Sequence, residues 1–297
     1  MAHTVRALEV ADDTASDLRA LWTRAVEADG VEPVSEAFRL AVGPARPGVV
    51  HLLRHTDTGI LAGYAQLAAA ETPDAVAELV IDPSLRRRGH GRALLDAALA
   101  EGARSVWAHG LLPGADALAH AAGLTMTRTL HRMTRPLTAA DAADPVLPEG
   151  FCVRSFEPGR DDEAWVRLNA AAFASHPEQG RLTVADLHER MAQHWFDPAG
   201  FLLVIDRDTD AVVAFHWTKV EPGSGTGEVY VVGVDPAHQG RGLGGPLTAL
   251  GLAHLARCGL SEVELYVDGD NTAARRTYER LGFTDAAVDG QYTRATT

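Results

Sequence analysis

The sequence predicts an α/β protein built from two tandem domains. The first reason is a segment that occurs twice, over residues 81–91 and 234–244, each time as an apolar run that ends in Asp-Pro and continues into a glycine-rich turn. Asp82 and Asp235 lie 153 residues apart. The second reason is the length, since 297 residues correspond to two domains of about 150 residues. The third is that strand-like and helix-like periodicities alternate in both halves.

The first half begins with a strand and a helix and then alternates between the two. A helix through Leu94, Leu95, Ala98 and Leu99 follows the first glycine turn, because this spacing buries one helix face. Gly123 is a typical helix terminator. The predicted elements, in order, are a strand over 5–9, a helix over 15–28, strands over 49–54, 60–67 and 75–81, the helix after the turn, a strand over 105–109, a helix over 115–122 and an extended segment over 125–135.

Residues 136–150 are predicted to be a linker, because they combine Pro145 and Pro148 with several alanine and aspartate residues. The predicted domains are therefore 1–135 and 151–297. After the linker the order of elements starts again, with strands over 153–156, 201–205, 212–220 and 228–234, a helix through Leu243 to Leu255, a strand over 262–267 and a helix over 272–281 closed by Gly282.

Composition excludes several classes of function. A formal net charge of −13 disfavours nucleic acid as a partner, since binding to phosphates needs a basic surface. The sequence contains no apolar stretch near the 18 to 20 residues of a membrane span. Cys152 and Cys258 form neither a disulfide framework nor a metal site. We therefore expect a cytoplasmic monomer that acts on a small molecule without a metal.

Each glycine turn is suited to binding a pyrophosphate. Glycine allows close approach of the backbone to an anion, and the N-terminus of the following helix offers unpaired N–H groups. Gly240, Gly242 and Gly245 also match the dinucleotide fingerprint of a Rossmann fold, but residues 236–239 separate them from the strand, and Leu94 replaces the third glycine in the first copy. A helix cap without a ligand is the remaining alternative.

The two turns resemble motif A of the GCN5-related N-acetyltransferases, which is Gln or Arg, two residues, Gly, one residue, then Gly or Ala. The first copy supplies Arg86, Gly89 and Gly91, and the second supplies Gln239, Gly242 and Gly244. The resemblance implies acetyl-CoA as co-substrate. It also implies that each domain is a mixed, mostly antiparallel sheet flanked by helices.

Motif B of the same family is present only in the second half. Asn271, Tyr278 and the run Leu281-Gly282-Phe283 match it, whereas the first half has Leu112 and Ala119 in place of Asn271 and Tyr278. Glu228 likewise corresponds to Ala75. We therefore expect the second domain to be catalytic and the first to be a non-catalytic relative.

The catalytic candidates are Glu228 as general base and Tyr278 as the group that faces the leaving thiolate. A phenol near pKa 10 would transfer its proton to a thiolate near 8.5 at a cost of roughly 2 kcal/mol, so a hydrogen bond to sulfur suits Tyr278 better. Alternatives from packing stay open, because Glu228 is also consistent with a solvent-facing strand position, Tyr278 with a packing aromatic and Asn271 with an N-cap.

The resemblance also implies two sets of contacts, which include backbone N–H groups near Val232 to Val234 that polarise the thioester. The implied acetyl-CoA contacts are Leu79, Val80, Ile81, Arg87, Arg88, Gly89, His90, Gly91 and Arg92 in the first domain, and Val232, Gly233, Val234, Gln239, Gly240, Arg241, Gly242, Leu243, Gly244, Gly245, Asn271, Thr272, Ala273, Ala274, Arg275 and Arg276 in the second.

The implied acceptor contacts are Glu36, Glu178, Lys219, Glu228 and Tyr266. A tandem branch of the family, with similar segments at 176–180, 230–236 and 266–271, implies the cysteinyl amine of cysteinyl-glucosaminyl-inositol as acceptor. Carboxylates and a tyrosine suit such a hydroxyl-rich, weakly cationic molecule. Another small-molecule or peptide N-acetyltransferase and a non-catalytic acyl-CoA-binding module are the two alternatives.

Overall fold

A computed structural model describes residues 1–174 and 179–294. In chain order the elements are β1 (His3–Ala7), α1 (Asp12–Asp29), α2 (Glu36–Leu40), β2 (Val50–His55), β3 (Leu61–Ala68), β4 (Val76–Ile81), α3 (His90–Ala100), β5 (Ser105–Ala108), α4 (Pro113–Ala121), β6 (Leu124–Pro136), β7 (Phe151–Ser155), α5 (Asp162–Ala172), α6 (Val184–Met191), β8 (Phe201–Asp206), β9 (Ala211–Lys219), β10 (Thr226–Val234), α7 (Gly244–Arg257), β11 (Glu262–Asp268), α8 (Thr272–Arg280) and β12 (Thr284–Arg294).

The chain divides into two compact units that follow the two halves of the sequence except at two strands. The first unit contains residues 1–130 and 268–270 together with 287–294 of β12. The second unit contains residues 131–286 apart from 268–270, and thus includes the end of β6. Each unit therefore includes a strand segment from the other half of the sequence, part of β12 in the first unit and the end of β6 in the second.

The sheet of the first unit has the strand order β1-β2-β3-β4-β5-β12. Only β4 and β5 are parallel. Strand β12 forms the last, antiparallel pair with β5, in a register that runs from Gly290 opposite Ala108 to Thr293 opposite Ser105. Helix α1 buries Leu18, Leu21 and Trp22 in one core cluster, while α3 buries Leu94 and Leu95 in another. Burying each such side chain stabilises the unit by about 1.5 to 3 kcal/mol.

The sheet of the second unit has the corresponding order β7-β8-β9-β10-β11-β6, and here β10 and β11 are the parallel pair. Its largest core cluster is aromatic. Trp165 and Trp217 are fully buried, and the rings of Phe201 and Trp217 stack with centroids 4.3 Å apart. This packing fixes the inner strands on which the candidate site lies.

Both units thus have the predicted mixed, mostly antiparallel sheet with flanking helices. Four elements were not predicted from the sequence, namely α2, α5, α6 and β12. In residues 1–174 and 179–294, no helix is both long and apolar enough to cross a membrane.

Candidate active site

The two parallel strands of the second unit separate at their carboxyl ends. Pairing between β10 and β11 runs from Thr226 with Glu262 to Val229 with Leu265 and is not continued, although β10 extends to Val234. On its other side β10 has a β-bulge between Val229 and Val231. A bulge bends a strand and redirects its backbone groups. The predicted thioester contacts at Val232 to Val234 therefore lie on a segment that has left its parallel partner.

Glu228 lies on β10 directly before this bulge and is partly exposed. It is opposite Lys219 of β9 and opposite Glu264 of β11. Lys219 is buried, and its Nζ lies 5.1 Å from the ring centre of Trp195. A carboxylate at the start of the strand separation, next to a buried cation, is well placed to receive a proton from a bound amine.

Tyr278 projects from α8 into the core and is 8% exposed. Its ring packs edge-on against Phe283 with centroids 5.9 Å apart. Burial raises the pKa of Tyr278 to about 12. Its hydroxyl makes no hydrogen bond to any residue in the described part of the chain. A buried phenol normally has a hydrogen-bond partner, so this hydroxyl is suited to donate to a ligand.

The second glycine turn presents an open backbone. Asp235 caps the short turn before it by accepting from the N–H of Ala237 at 2.8 Å. Gly240 and Gly242 have φ of +76° and +79°, a conformation that favours glycine, and a Cβ on Gly240 would meet no atom within 4 Å. Helix α7 begins at Gly244, so its first N–H groups point toward this open turn. The turn fits a pyrophosphate.

The start of α8 contains two arginines in different environments. Asn271 caps the helix by accepting from the N–H of Ala274 at 3.1 Å. Arg275 forms an ion pair with Asp285 at 2.9 Å and approaches His131 at 3.4 Å. Arg276 is exposed and forms no ion pair with any residue in 1–174 or 179–294. Arg276 is thus the more available of the two for an anionic ligand.

The first unit contains a cavity of about 600 Å³. It brings together seven of the nine residues predicted there for acetyl-CoA: Leu79, Val80, Ile81, Arg87, Gly89, Gly91 and Arg92. The other two do not line it, since Arg88 is exposed and His90 is buried with its Nδ1 3.5 Å from Nε of Arg54. The two parallel strands of the first unit also separate, because β4 pairs with β5 only as far as Glu78 opposite Trp107.

Several residues that line this cavity were not among the predicted acetyl-CoA contacts. Arg86 donates to both carboxylate oxygens of Asp29, at 2.7 and 2.6 Å, so its guanidinium forms part of the wall. Tyr292 is 1% exposed and donates to Asp116 at 2.8 Å. Arg86 is a motif residue and was therefore detectable. Asp29 and Tyr292 had no sequence signal, because only folding brings them to the turn.

The same unit contains a buried cluster of charged side chains around His109. His109 lines the cavity and contacts Asp289 at 2.9 Å and Glu78 at 3.5 Å. Burial acts to lower the pKa of His109, but hydrogen bonds and charge from the two carboxylates outweigh it and raise the pKa to about 10. Glu78 also accepts from the N–H of Ser35 at 2.7 Å. The α1 to α2 segment thus lies directly against the central strand.

The remaining acceptor candidates are dispersed. Tyr266 is 45% exposed on β11. Glu36 is the first residue of α2 in the first unit and is half-buried. Glu178 lies outside the described residues. Among those residues, no group of three or more His, Cys, Asp and Glu side chains could hold a metal ion.

Comparison with known proteins gives a consistent result. Residues 13–120 and 164–283 match the acetyltransferase (GNAT) family. A mycothiol acetyltransferase of Streptomyces coelicolor is 50% identical over 288 residues, which are 96% of this chain and 93% of that protein. One from Streptomyces griseus is 52% identical over 294 residues, or 98% and 94% of the two chains.

Solved structures confirm the fold. A tandem GNAT protein of the clavulanic acid biosynthesis pathway superposes with a TM-score of 0.73 at 19% identity, over 99% of this chain and 98% of that one. A GCN5-related N-acetyltransferase of Sphaerobacter thermophilus gives a TM-score of 0.69 at 24% identity, over 97% and 94%. The predicted tandem fold is therefore confirmed, and the Rossmann alternative is wrong.

Proposed function

This chain belongs to the acetyltransferase (GNAT) family, and we propose that it transfers the acetyl group of acetyl-CoA to the cysteinyl amine of cysteinyl-glucosaminyl-inositol, giving mycothiol. The observation that carries this proposal is the 50% identity to a mycothiol acetyltransferase over 96% of the chain. The open turn and separated strands of the second unit support it, because they provide for a coenzyme and a nearby base.

The reaction forms a C–N bond between the amine and the thioester carbonyl carbon and breaks the C–S bond. The amine must be neutral when it attacks, and an α-amino group with a pKa near 8 meets this condition in part at neutral pH. Glu228 takes the proton that the nitrogen loses, directly or through one water. N–H groups of the β10 segment from Val232 to Val234 stabilise the oxyanion that develops on the carbonyl oxygen.

Tyr278 stabilises the leaving sulfur through a hydrogen bond. With its pKa raised to about 12, proton transfer to a thiolate near 8.5 would be uphill by roughly 5 kcal/mol. A phenol that stays protonated can still donate to the sulfur throughout the reaction. The thiolate then receives its proton from solvent after release.

We propose that both units bind a coenzyme. In the second unit the turn from Gln239 to Gly245 and the start of α8, including Arg276, hold the phosphates next to the reacting groups. In the first unit the cavity around Arg87 and Gly89 holds a second coenzyme. Transfer occurs only in the second unit, because the first has Ala75 and Ala119 in place of Glu228 and Tyr278.

The acceptor is assigned to the face of the second unit that carries Lys219, Glu228 and Tyr266. Carboxylates suit the ammonium form of the amine, and a tyrosine suits the sugar hydroxyls. We also propose that the protein is a cytoplasmic monomer, with neither nucleic acid nor membrane as partner, given its net charge of −13. Light scattering on the purified chain measures the oligomeric state.

The test is to incubate the purified protein with acetyl-CoA and cysteinyl-glucosaminyl-inositol and to follow free CoA and the mass of the product. We expect CoA release that depends on the acceptor and one added acetyl group. Glucosaminyl-inositol without the cysteinyl group is the matched control, because it keeps the sugar but lacks the reacting α-amine. No CoA release above background would contradict the proposal. Equal rates with unrelated amines would favour a broader N-acetyltransferase instead.

A further inference from the structure

Four charged residues form one row across neighbouring strands of the second unit. Glu228 of β10 is opposite Lys219 of β9 on one side and opposite Glu264 of β11 on the other. Strand β6 is the next neighbour of β11, and from it Arg132 donates through Nη1 to Oε2 of Glu264 at 2.9 Å. The charges in the row are therefore positive, negative, negative and positive.

The two central carboxylates are close neighbours because of the register. Residues directly opposite each other on adjacent strands point to the same face of the sheet, and neighbouring strands lie about 4.8 Å apart. Like charges in this arrangement repel, so the pair costs free energy unless something compensates it. The proposed base is thus beside a second negative charge that the reaction chemistry alone does not require.

Arg132 provides the compensation. The side chain of Glu264 is 22% exposed and that of Arg132 is 36% exposed, so the ion pair is partly shielded from solvent. Burial acts to lower the pKa of Arg132, but the hydrogen bond and the charge of Glu264 outweigh it and raise this pKa above its ordinary value. Arg132 therefore fixes the carboxylate of Glu264 in place through a charge-assisted hydrogen bond.

We propose that Glu264 and Arg132 form a positioning pair for Glu228, in which Glu264 keeps a permanent negative charge beside the base and Arg132 limits and orients that charge. This inference rests on the proposed function, in which Glu228 receives the proton of the amine. A negative neighbour makes Glu228 hold a proton more strongly, which brings it closer to the amine in basicity and improves general-base catalysis.

The other charged and titratable groups around the row are few in the described part of the second unit. Arg190 of α6 lies 3.1 Å from the hydroxyl of Tyr230, and Glu221 lies 3.2 Å from Lys219. Glu262 and Tyr266 flank Glu264 on β11 at two residues' distance. Besides Lys219 and Glu264, the charged and titratable groups near Glu228 are then Glu221, Tyr230, Tyr266, Arg132 and Arg190, while Glu262 lies opposite Thr226.

The experiment compares the dependence of kcat/KM on pH in four variants of the full chain. Removing the negative charge with Glu264→Gln shifts the acid limb of the profile to lower pH by roughly half a unit to one unit. Removing the positive charge with Arg132→Ala shifts the acid limb to higher pH, since the charge of Glu264 is no longer neutralised. Arg132→Lys restores the wild-type limb. Glu262→Gln is the matched control, because Glu262 faces Thr226 rather than Glu228, and it leaves the limb in place.

Opposite shifts from the two charge removals cannot arise from a general loss of stability. Thermal melts of all four variants and KM for acetyl-CoA provide the check on folding and coenzyme binding. Shifts in the same direction, or unshifted limbs in active variants, would overturn the inference. An inactive Glu264→Gln or Arg132→Ala leaves the other variant and the lysine variant to decide it. If Glu228→Gln keeps full activity, the proposed function of Glu228 fails instead, and the two outcomes are distinguishable.

Discussion

The two units have the same strand order but differ at the centre of the sheet. In the second unit β10 has a bulge and leaves β11 after Val229. In the first unit β4 pairs with β3 without a register shift and stays with β5 as far as Glu78, two positions further by the 153-residue offset. The first unit therefore differs from the candidate active site of the second unit in its backbone as well as in its side chains.

The side chains follow the same division. Glu228 is partly exposed beside the strand separation, whereas Glu78 is 2% exposed and is held by His109 and by the N–H of Ser35. A carboxylate with such partners is fixed and cannot act as a base for a mobile acceptor. The first unit thus has a cavity that suits a coenzyme, while the glutamate on its central strand is held by hydrogen bonds and packing.

The largest expected effect concerns the strand that completes the first unit. Tyr292→Ala removes a fully buried ring from the cavity wall and should destabilise the unit by about 3 to 5 kcal/mol. Thermal melts and hydrogen exchange at β2 to β5 measure this loss. Thr293→Ala, at the neighbouring and more exposed position, is the control. An unchanged melting temperature for Tyr292→Ala would show that β12 is dispensable there.

A second test compares two glutamates on the equivalent central strands. Glu228→Gln should lower kcat by about a hundredfold, since removal of a general base typically costs this much. Glu78→Gln should leave kcat within about threefold, measured below its melting temperature, because Glu78 lies in the unit that we propose to be non-catalytic. Comparable losses of kcat would remove the division of labour between the units.

The charged cluster of the first unit predicts a dependence of stability on pH. His109 has a folded pKa of about 10 against an unfolded value near 6.5, so its contribution is complete below pH 6.5 and is lost as the pH rises through 10. The free energy of unfolding should fall by about 3 to 4 kcal/mol between pH 7 and 10. Denaturant titrations at several pH values measure it, and His109→Gln should flatten the dependence. A variant with the wild-type slope would contradict this assignment.

A smaller effect on kcat is expected for Tyr278 of the second unit, and almost none for Arg86 of the first. Tyr278→Phe should reduce kcat roughly tenfold, about 1.4 kcal/mol, because the leaving sulfur loses a hydrogen bond. Arg86→Ala in the first unit should leave kcat largely intact, since Arg86 is engaged by Asp29. The measurement is steady-state kinetics with both substrates. A tenfold loss in kcat from Arg86→Ala would connect the first unit directly to catalysis.

The smallest effect concerns one turn position in both copies. Arg87 has φ of +62°, and Gly240 occupies the equivalent position at +76°. A non-glycine residue in this conformation costs about 1 kcal/mol. Without ligand, Arg87→Gly should therefore raise the free energy of unfolding by somewhat less than about 1 kcal/mol, and Gly240→Ala should lower it by a similar amount. Denaturant titration of both variants shows whether the signs are opposite.

Local patterns were sufficient for most of the fold. The alternation of strand and helix signals located β2 to β5 and β8 to β11 within one or two residues, since short buried strands and helix terminators have strong signatures. The helices α5 and α6 were missed because they lie next to no recognised motif, and β12 was missed because its burial is mixed along its length.

The residues of the candidate site also differ in whether the sequence could identify them. Gly242, Asn271 and Tyr278 were identifiable because their motifs have fixed spacing. Asp289 and Tyr292 were not, since they reach the first unit only through the path of β12. The pair of Arg132 and Glu264 was equally invisible, because its partners are 132 residues apart in sequence.

The sequence by itself determined the duplication and the two glycine turns, and it predicted which half contains the reacting groups. Each of these depends on residues close together in the chain, where glycine conformation and helix capping act locally. Only the tertiary structure decided where the central strands separate, which carboxylates are buried with partners, and which strand completes each unit. These features depend on register between distant segments, and a strand's register is set by its neighbours and its packing rather than by its own residues.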